Sequence, residues 1–337
     1  MLNDPLVSII LLTFNSARYI GRALSSVYTQ NYSNMEVIVV DAGSSDSTKS
    51  IVHSFSGTTW LDLPKSDMGM ARNYGLDHSN GAFVMFLDSD DIYLEGKLTK
   101  QVQALVENKE LDFVASQAYV MKNMSGSVGI KDWTFNKLTI DSFLEGQCYS
   151  LATLCIRKSA LTSNCRFYEN DAGRYCEDWS FQFTLLLEGL CFDVMPFCSV
   201  LVELRDDSHT DWSIQPKMKS IGLEVVESAF SIIEADELQH CVSNKQYTLD
   251  NYKFKLAMSY FANGFLDLGR STLGIISNDY KAYKVLPEVA SFILPKFLFI
   301  YVLRYLWSKR QESSFEWAAM PLSTKEWIDK HNKYLNY

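Results

Sequence analysis

The chain has 337 residues, 47% of them hydrophobic, and 31 lysines and arginines against 40 acids give it a formal net charge of −9. That length suffices for one large α/β domain with an appendage, or for two domains with substantial cores. The acidic balance excludes a general nucleic-acid binder, whose phosphate contacts need a basic face, so no nucleic-acid partner is expected.

Residues 7–12 form a β-branched apolar run that opens into Thr13, Phe14 and Asn15, a polar exit at the end of a first strand. Ile20, Ala23, Leu24, Val27 and Tyr28 follow at helical spacing. Residues 35–40 read as a second buried strand ending in Asp41-Ala42-Gly43-Ser44-Ser45-Asp46-Ser47, which completes a βαβ unit. In such a unit Asp41 can accept a hydrogen bond from a base or ribose, Gly43 permits a tight turn, and Ser45 or Asp46 caps the next helix. A loop that only caps a helix would carry the same residues. Residues 58–63 read as a third strand, and Asp67-Met68-Gly69-Met70-Ala71-Arg72-Asn73-Tyr74-Gly75 as a loop entering a helix. Arg72, lying between two candidate nucleotide loops, is placed for a nucleobase or phosphate contact.

The apolar run of residues 82–87 ends in Asp88-Ser89-Asp90-Asp91 and reads as a strand buried on both faces of a parallel sheet. Ligands of open α/β sheets bind beyond the carboxyl ends of the strands, so these acids stand at the mouth of a site. Carboxylates so close repel one another without a cation. Hard oxygen donors at alternate positions suit Mg²⁺ or Mn²⁺ bridging to a diphosphate. A solvated turn is the competing reading of Asp-x-Asp alone. Residues 94–107 then read as a helix, 111–120 as a strand, 121–135 as an aperiodic mobile loop over the site, and 151–156 as another strand. Glu177 and Asp178 open a buried helix, where the helix dipole favours negative charge and capping alone would also explain them. Trp179 beside them suits either a sugar face or the core.

Four segments, residues 8–15, Asp41 to Asp46, Ala71-Arg72-Asn73-x-Gly75 and Asp88-Ser89-Asp90-Asp91, in that order and spacing, resemble the family 2 glycosyltransferases with the GT-A fold. The resemblance covers roughly residues 5–213. It implies an α/β fold of GT-A type, a Rossmann-like, mostly parallel sheet flanked by helices. The catalytic domain is expected over 1–214, its nucleotide-sugar half about 1–120 and its acceptor half about 121–214, with a helical C-terminal region over 215–337. It implies an inverting transferase that uses a UDP-sugar donor and a divalent cation, Mn²⁺ or Mg²⁺. Carried over position by position, Thr13, Asn15 and Asp41 line the nucleotide pocket with Arg72 beside it. Asp88 reaches the ribose or metal, Ser89 lies in the nucleotide-sugar loop and Asp90 ligates the metal. Asp178 is the general base and Glu177 supports acceptor binding. Asp67 and Asp91 are secondary candidates, and the segment holding Arg205 and His209 corresponds to one that approaches the diphosphate. The chain departs from the pattern at Ala42, where many members carry a second acid, so the base read by the pocket stays open.

From about residue 215 the pattern is helical, with Ile221, Val225, Ala229, Ile232 and Ile233 on one spacing. Residues 291–311 are apolar and aromatic, and their charged members Lys296, Arg304, Lys309 and Arg310 are all basic. Pro295 and Lys296 oppose a membrane-spanning helix, and an interfacial helix on a membrane surface is expected in preference to a buried packing helix. Seven cysteines without a C-x-x-C pair read as reduced thiols, and no basic leader precedes the first strand. The expected location is cytoplasmic, peripheral at the inner face of the cell membrane. The expected reaction moves a hexose to a hydroxyl of a lipid-linked glycan in bacterial surface polysaccharide synthesis, forming a β-linkage. A sugar-nucleotide nucleotidyltransferase would show a glycine-rich first loop, which residues 11–18 lack, and an inactive carbohydrate-binding protein would have lost Asp90 or Asp178.

Overall fold

The structure, a computed structural model, describes residues 4–122, 127–131, 139–140, 143, 148–169, 176–204, 215–235, 244–277, 287, 300 and 316–319. The chain divides into two compact units. One comprises Met1–Lys137, Cys148–Leu204 and Glu316–Tyr337, the other Leu138–Gln147 and Arg205–Phe315.

The first unit opens with β1 (Val7–Thr13), α1 (Ile20–Tyr28), β2 (Met35–Asp41), α2 (Thr48–His53), β3 (Thr58–Asp62), α3 (Met68–Asp77) and β4 (Phe83–Asp88). These strands pair in parallel in the order β3-β2-β1-β4. Alternate residues face opposite sides of such a sheet. Ile9, Leu11, Val37, Val39, Met85 and Leu87 form one core with Ile20, Ala23, Leu24 and Val27 of α1. Each such aliphatic side chain, fully buried, contributes about 1.5–3 kcal/mol. On the other face α3 lies so close that a Cβ on Gly75 would meet Ile10 Cγ2 at 2.5 Å and Val40 Cγ2 at 3.2 Å. Glycine is needed there to let the helix reach the sheet.

Beyond β4 the sheet becomes mixed. It adds β5 (Ile92–Tyr93), α4 (Lys97–Glu107), β6 (Phe113–Lys122), β7 (Ser127–Lys131), β8 (Cys155–Arg157), α5 (Glu177–Leu187), β9 (Phe192–Leu204) and β10 (Glu316–Ala319). The short β8 pairs antiparallel with both β4 and β6, so β4 is buried as expected but has only one parallel neighbour. Where an aperiodic loop was expected over 121–135, Met121 and Lys122 end β6 and β7 turns back along it. Only Cys155–Arg157 of the strand expected over 151–156 is extended, after a 3-10 turn at Leu151–Thr153. The long β9 runs parallel to β6 with register shifts opposite Ser116–Ala118, where Pro196, Phe197 and Ser199 are the extra residues. Proline lacks the ladder N–H and is tolerated at such a bulge, which also hides the strand's alternation. Finally β10, inside the stretch read as helical, pairs antiparallel with β7.

The second unit contributes α6 (Gln215–Ala235), α7 (Lys245–Ala262) and α8 (Leu266–Gly274). Ile221, Val225, Ala229 and Ile233 are buried on α6 at the expected spacing, while Ile232 is partly exposed. Ala257 and Phe261 of α7 pack with Leu273 of α8 and with Ile276. Among the described residues no helix is long and apolar enough to cross a membrane. Arg205, His209 and all of residues 291–311 except Ile300 lie outside the described residues.

Candidate active site

Two loops at the carboxyl ends of β1 and β2 lock together. Asn15, at φ 47°, donates its N–H to Ser44 Oγ (2.8 Å) and accepts from the Ser45 N–H on Oδ1 (2.9 Å). Its left-handed backbone suits asparagine better than most residues. Asp41 is buried and accepts from the Gly43 N–H (3.1 Å), the Ser44 N–H (2.8 Å) and Ser44 Oγ (2.5 Å). That ring of bonds needs Gly43 at φ 102°. Asp41 therefore builds the second loop and reaches Asn15 through Ser44. Neither Ser45 nor Asp46, the residues expected to cap α2, is its N-cap: Ser47 stands there without a side-chain cap bond, while Asp46 accepts from the Thr48 N–H (3.0 Å) and from the Ala17 N–H (3.1 Å). Thr13 Oγ1 is buried with no hydrogen-bond partner among the described residues. A ligand polar atom at that point would satisfy a group that otherwise costs stability.

The third loop follows β4. Ser89 Oγ donates to Ser16 Oγ (2.8 Å), which ties the acidic turn to the start of α1. Asp88 is half exposed, and its Oδ1 accepts from Arg72 Nη2 (2.9 Å). Asp91 is buried and accepts from the Glu203 N–H (3.2 Å). Burial, with Asp90 and Asp88 adding repulsion, pushes its carboxyl well above the carboxylate range. Asp91 is thus turned toward β9.

Arg72 joins the end of β4 to the first turn of α5. Its Nη1 donates to Glu177 Oε1 (2.5 Å) while Nη2 holds Asp88, and the arginine side chain is 4% exposed. It lies 5.6 Å from the centre of the Phe167 ring, which stacks on Phe181 at 4.0 Å and meets Phe86 edge-on at 5.3 Å. Asn73 pins this floor by exchanging two hydrogen bonds with the Phe167 backbone, at 2.9 and 3.0 Å. Burial raises the Glu177 carboxyl to about 7 against the opposing pull of Arg72, with Asp178 raising it further. The two carboxylates raise the Arg72 guanidinium despite its burial. Asp178 is half buried in the first turn of α5, and its Oδ1 accepts from the Trp179 N–H (2.7 Å). Trp179 stacks on Phe183 at 5.6 Å. Asp67 caps α3 through the Met70 N–H (2.8 Å).

The candidates thus form two sets: Arg72 brings Asp88 and Glu177 together, and Ser44 brings Asn15 and Asp41 together. The sequence reading passed over Arg22 and Glu203, which form a buried ion pair behind the acidic turn, and Phe167 beneath Arg72. A signal for Arg22 existed, since it stands four residues before Ser26 on α1. For a divalent cation the donor set is chemically suitable, because Asp88 and Asp90 offer hard carboxylate oxygens at the end of one strand. Among the described residues no three His, Cys, Asp or Glu side chains gather as a closed metal centre. The residues present therefore fit an open site, with substrate oxygens and water completing a shell.

The model of the family described as Glycosyl transferase family 2 matches residues 8–151. Among curated relatives, the Escherichia coli UDP-Glc:alpha-D-GlcNAc-diphosphoundecaprenol beta-1,3-glucosyltransferase WfgD is 35% identical over 144 residues, 41% of this chain and 56% of that protein. The Campylobacter jejuni GalNAc(5)-diNAcBac-PP-undecaprenol beta-1,3-glucosyltransferase is 30% identical over 189 residues, 52% of this chain and 59% of that protein. The chain thus spans little more than half the length of these relatives. Among solved structures, S. aureus TarS 1-349 in complex with UDP-GlcNAc superposes with a TM-score of 0.55 at 19% identity, covering 98% of this chain and 90% of that one. The Pyrobaculum calidifontis mannosyltransferase PcManGT, in complex with GDP-Man and Mn2+, gives 0.51 at 16% identity, covering 90% and 86%. At such identities the likeness speaks for the fold, which is the expected GT-A arrangement of a mostly parallel sheet and flanking helices. Over residues 8–151, the chain is similar to glycosyl transferase family 2.

Proposed function

We propose that this protein is an inverting, metal-dependent glycosyltransferase that moves a hexose from a UDP-sugar to a hydroxyl of a lipid-linked glycan, forming a β-linkage in bacterial surface polysaccharide synthesis. The observation that carries the reading is Arg72, whose single guanidinium holds an acid of the donor loop, Asp88, and an acid of the acceptor pair, Glu177. Donor and acceptor chemistry then meet within the reach of one side chain. Relatives named for a UDP-Glc donor and for undecaprenol diphosphate-linked acceptors support the choice of substrates.

On this reading Thr13, Asn15 and Asp41 face the nucleotide, Arg72 and Ser89 border it, and Asp88 and Asp90 hold Mn²⁺ or Mg²⁺. The cation, when bound, neutralises charge on the leaving diphosphate. Asp178 takes the proton of the acceptor hydroxyl as that oxygen attacks the anomeric carbon from the face opposite the nucleotide. The bond to the diphosphate oxygen breaks with its electron pair on UDP, so an α-linked donor yields a β-linked product. Glu177, engaged by Arg72 and buried, is better suited to orient the acceptor than to take its proton. Arg205 and His209 are further candidates for the diphosphate. The catalytic domain is assigned to 1–214 and a membrane-surface contact to about 291–311, which suits a lipid-linked acceptor and a peripheral position at the inner membrane face.

The test is release of nucleotide from a panel of UDP- and GDP-sugars in Mn²⁺, with and without a lipid diphosphate–N-acetylglucosamine acceptor. Acceptor-dependent UDP release with a β-linked product is expected. Pyrophosphate release from UTP and a sugar phosphate would instead identify a nucleotidyltransferase, and glycan binding without turnover an inactive carbohydrate-binding protein.

A further inference from the structure

Helix α1 buries Arg22 and Ser26 four residues apart, and Gln30, also buried, follows two residues beyond its end. The spacing of Arg22 and Ser26 places them on one face of the helix. All three bond to the backbone of the acidic turn or of the segment that follows it. Arg22 Nη2 donates to the Asp90 carbonyl (2.7 Å), Ser26 Oγ accepts from the Tyr93 N–H (3.0 Å), and Gln30 Nε2 donates to the Leu94 carbonyl (3.0 Å). Ser26 and Gln30 thereby hold the strand and its exit, whereas Arg22 alone reaches the acidic turn.

The same Arg22 Nη2 is also paired with Glu203 at the end of β9. The Glu203 N–H in turn donates to Asp91 Oδ1 (3.2 Å), and the Asp91 N–H closes the turn on the Asp88 carbonyl (3.1 Å). Arg22 is further steadied 5.3 Å from the centre of the Tyr19 ring. Their side chains are 3% and 8% exposed, so this pair is desolvated. A buried ion pair adds little net stability over apolar groups of the same size, so stability alone explains it poorly.

Resting on the donor-site reading above, we infer that Arg22 and Glu203 are positioning residues that grip the acidic turn from behind and aim Asp90 at the donor's metal. Arg22 fixes the backbone of Asp90 through its carbonyl, and the Glu203 backbone N–H, anchored by the ion pair, holds Asp91 toward β9 so that it does not compete. Their effect passes through Asp90 and Asp91.

Binding of Mn²⁺ in the presence of UDP, read by the electron paramagnetic resonance signal of free Mn²⁺, tests this without turnover. Arg22→Met/Glu203→Gln removes both buried charges together, which spares the fold the cost of an unpaired one. Its Mn²⁺ affinity is expected to fall about 10–100-fold, the scale seen when groups supporting metal ligands are removed, while its urea midpoint stays near the parent's. A folded double variant that binds Mn²⁺ as the parent does overturns the inference, because the pair is then structural only. Should the double variant not fold, Arg22→Lys decides, since it keeps the buried charge but not the forked donor. Affinity at least threefold below the parent's supports the inference, and parental affinity refutes it. A parent protein that binds no Mn²⁺ with UDP overturns the donor-site reading itself, a result distinct from the others.

Discussion

Replacing Lys97 by methionine removes an ammonium that α4 buries completely. Its Nζ donates to Gln101 Oε1 (2.6 Å) and Ser199 Oγ (3.4 Å) and lies 4.8 Å from the centre of the Tyr93 ring, and no carboxylate pairs with it among the described residues. Burial therefore pulls its pKa from 10.5 to about 7. Between those values the unfolded chain holds a proton that the folded chain does not, so stability rises with pH, at most by about 1.4 kcal/mol per pH unit. The whole gap corresponds to about 5 kcal/mol, absent below pH 7 and fully regained near 10.5. Methionine escapes that penalty but strips Gln101 of its donor, which costs about 1–3 kcal/mol. The variant should thus be about 1–3 kcal/mol more stable than the parent near pH 7. Its advantage should shrink as pH rises. Urea unfolding of both proteins from pH 6.5 to 9 isolates the effect in their difference, because groups common to both largely cancel. A stability difference that stays flat over that range would refute the reasoning.

Asp90→Asn, a change of charge at nearly constant volume, should abolish turnover without lowering the urea midpoint, and chelator should silence the parent until Mn²⁺ or Mg²⁺ is restored; full activity in excess chelator would sink the assignment. Asp178→Asn should bind UDP normally yet lose about 10²–10⁴-fold in transfer, the scale of general-base catalysis; near-parental steady-state turnover would move the base elsewhere. For the membrane contact, reversing Lys296, Arg304, Lys309 and Arg310 to glutamate should release the protein from anionic vesicles in a co-sedimentation assay. Charge reversal is preferable to truncation, because removing the C-terminal residues would also remove the strand paired with β7.

What the sequence made legible was local and contiguous. The runs of β1, β2 and β4 are buried on both faces and end in polar residues, Thr13, Asp41 and Asp88, so strand, exit and candidate site could be read together. Gly75 could be read as part of a motif, but its reason, the approach of α3 to Ile10 and Val40, needed the packed sheet. The acids of α5 announced themselves at a helix start, whereas their cation did not. Arg72 lies 105 residues from Glu177 and 16 from Asp88, and Arg22 lies 181 from Glu203. No periodicity encodes pairings at such separations. The antiparallel half was obscured for another reason: β8 is three residues long and β9 breaks its alternation at Pro196.

The two arms of Arg72 are not equivalent, and the difference bears on how a donor could enter. The Asp88 side chain is 50% exposed and that of Glu177 only 6%. Solvent screens the first pair, so it is cheaply exchanged for a phosphate or base. The second is desolvated, and leaving Glu177 charged without its cation would cost about 3–5 kcal/mol. A proton limits that loss at neutral pH, because the Glu177 carboxyl already stands at about 7, but not at pH 9. On the proposed reading the donor therefore displaces the Asp88 arm while the Glu177 arm stays. A lysine at position 72 could hold one carboxylate and not both. Arg72→Lys should then keep the buried pair, unfold at nearly the parental urea concentration at pH 9, and raise the donor KM about tenfold or more, the loss of one charge-assisted bond. Arg72→Met should lose stability as well, and more at pH 9 than at pH 7. Equal destabilisation by both variants at pH 9 would mean that the two arms carry equal weight, and the exposed one could not be the part that yields.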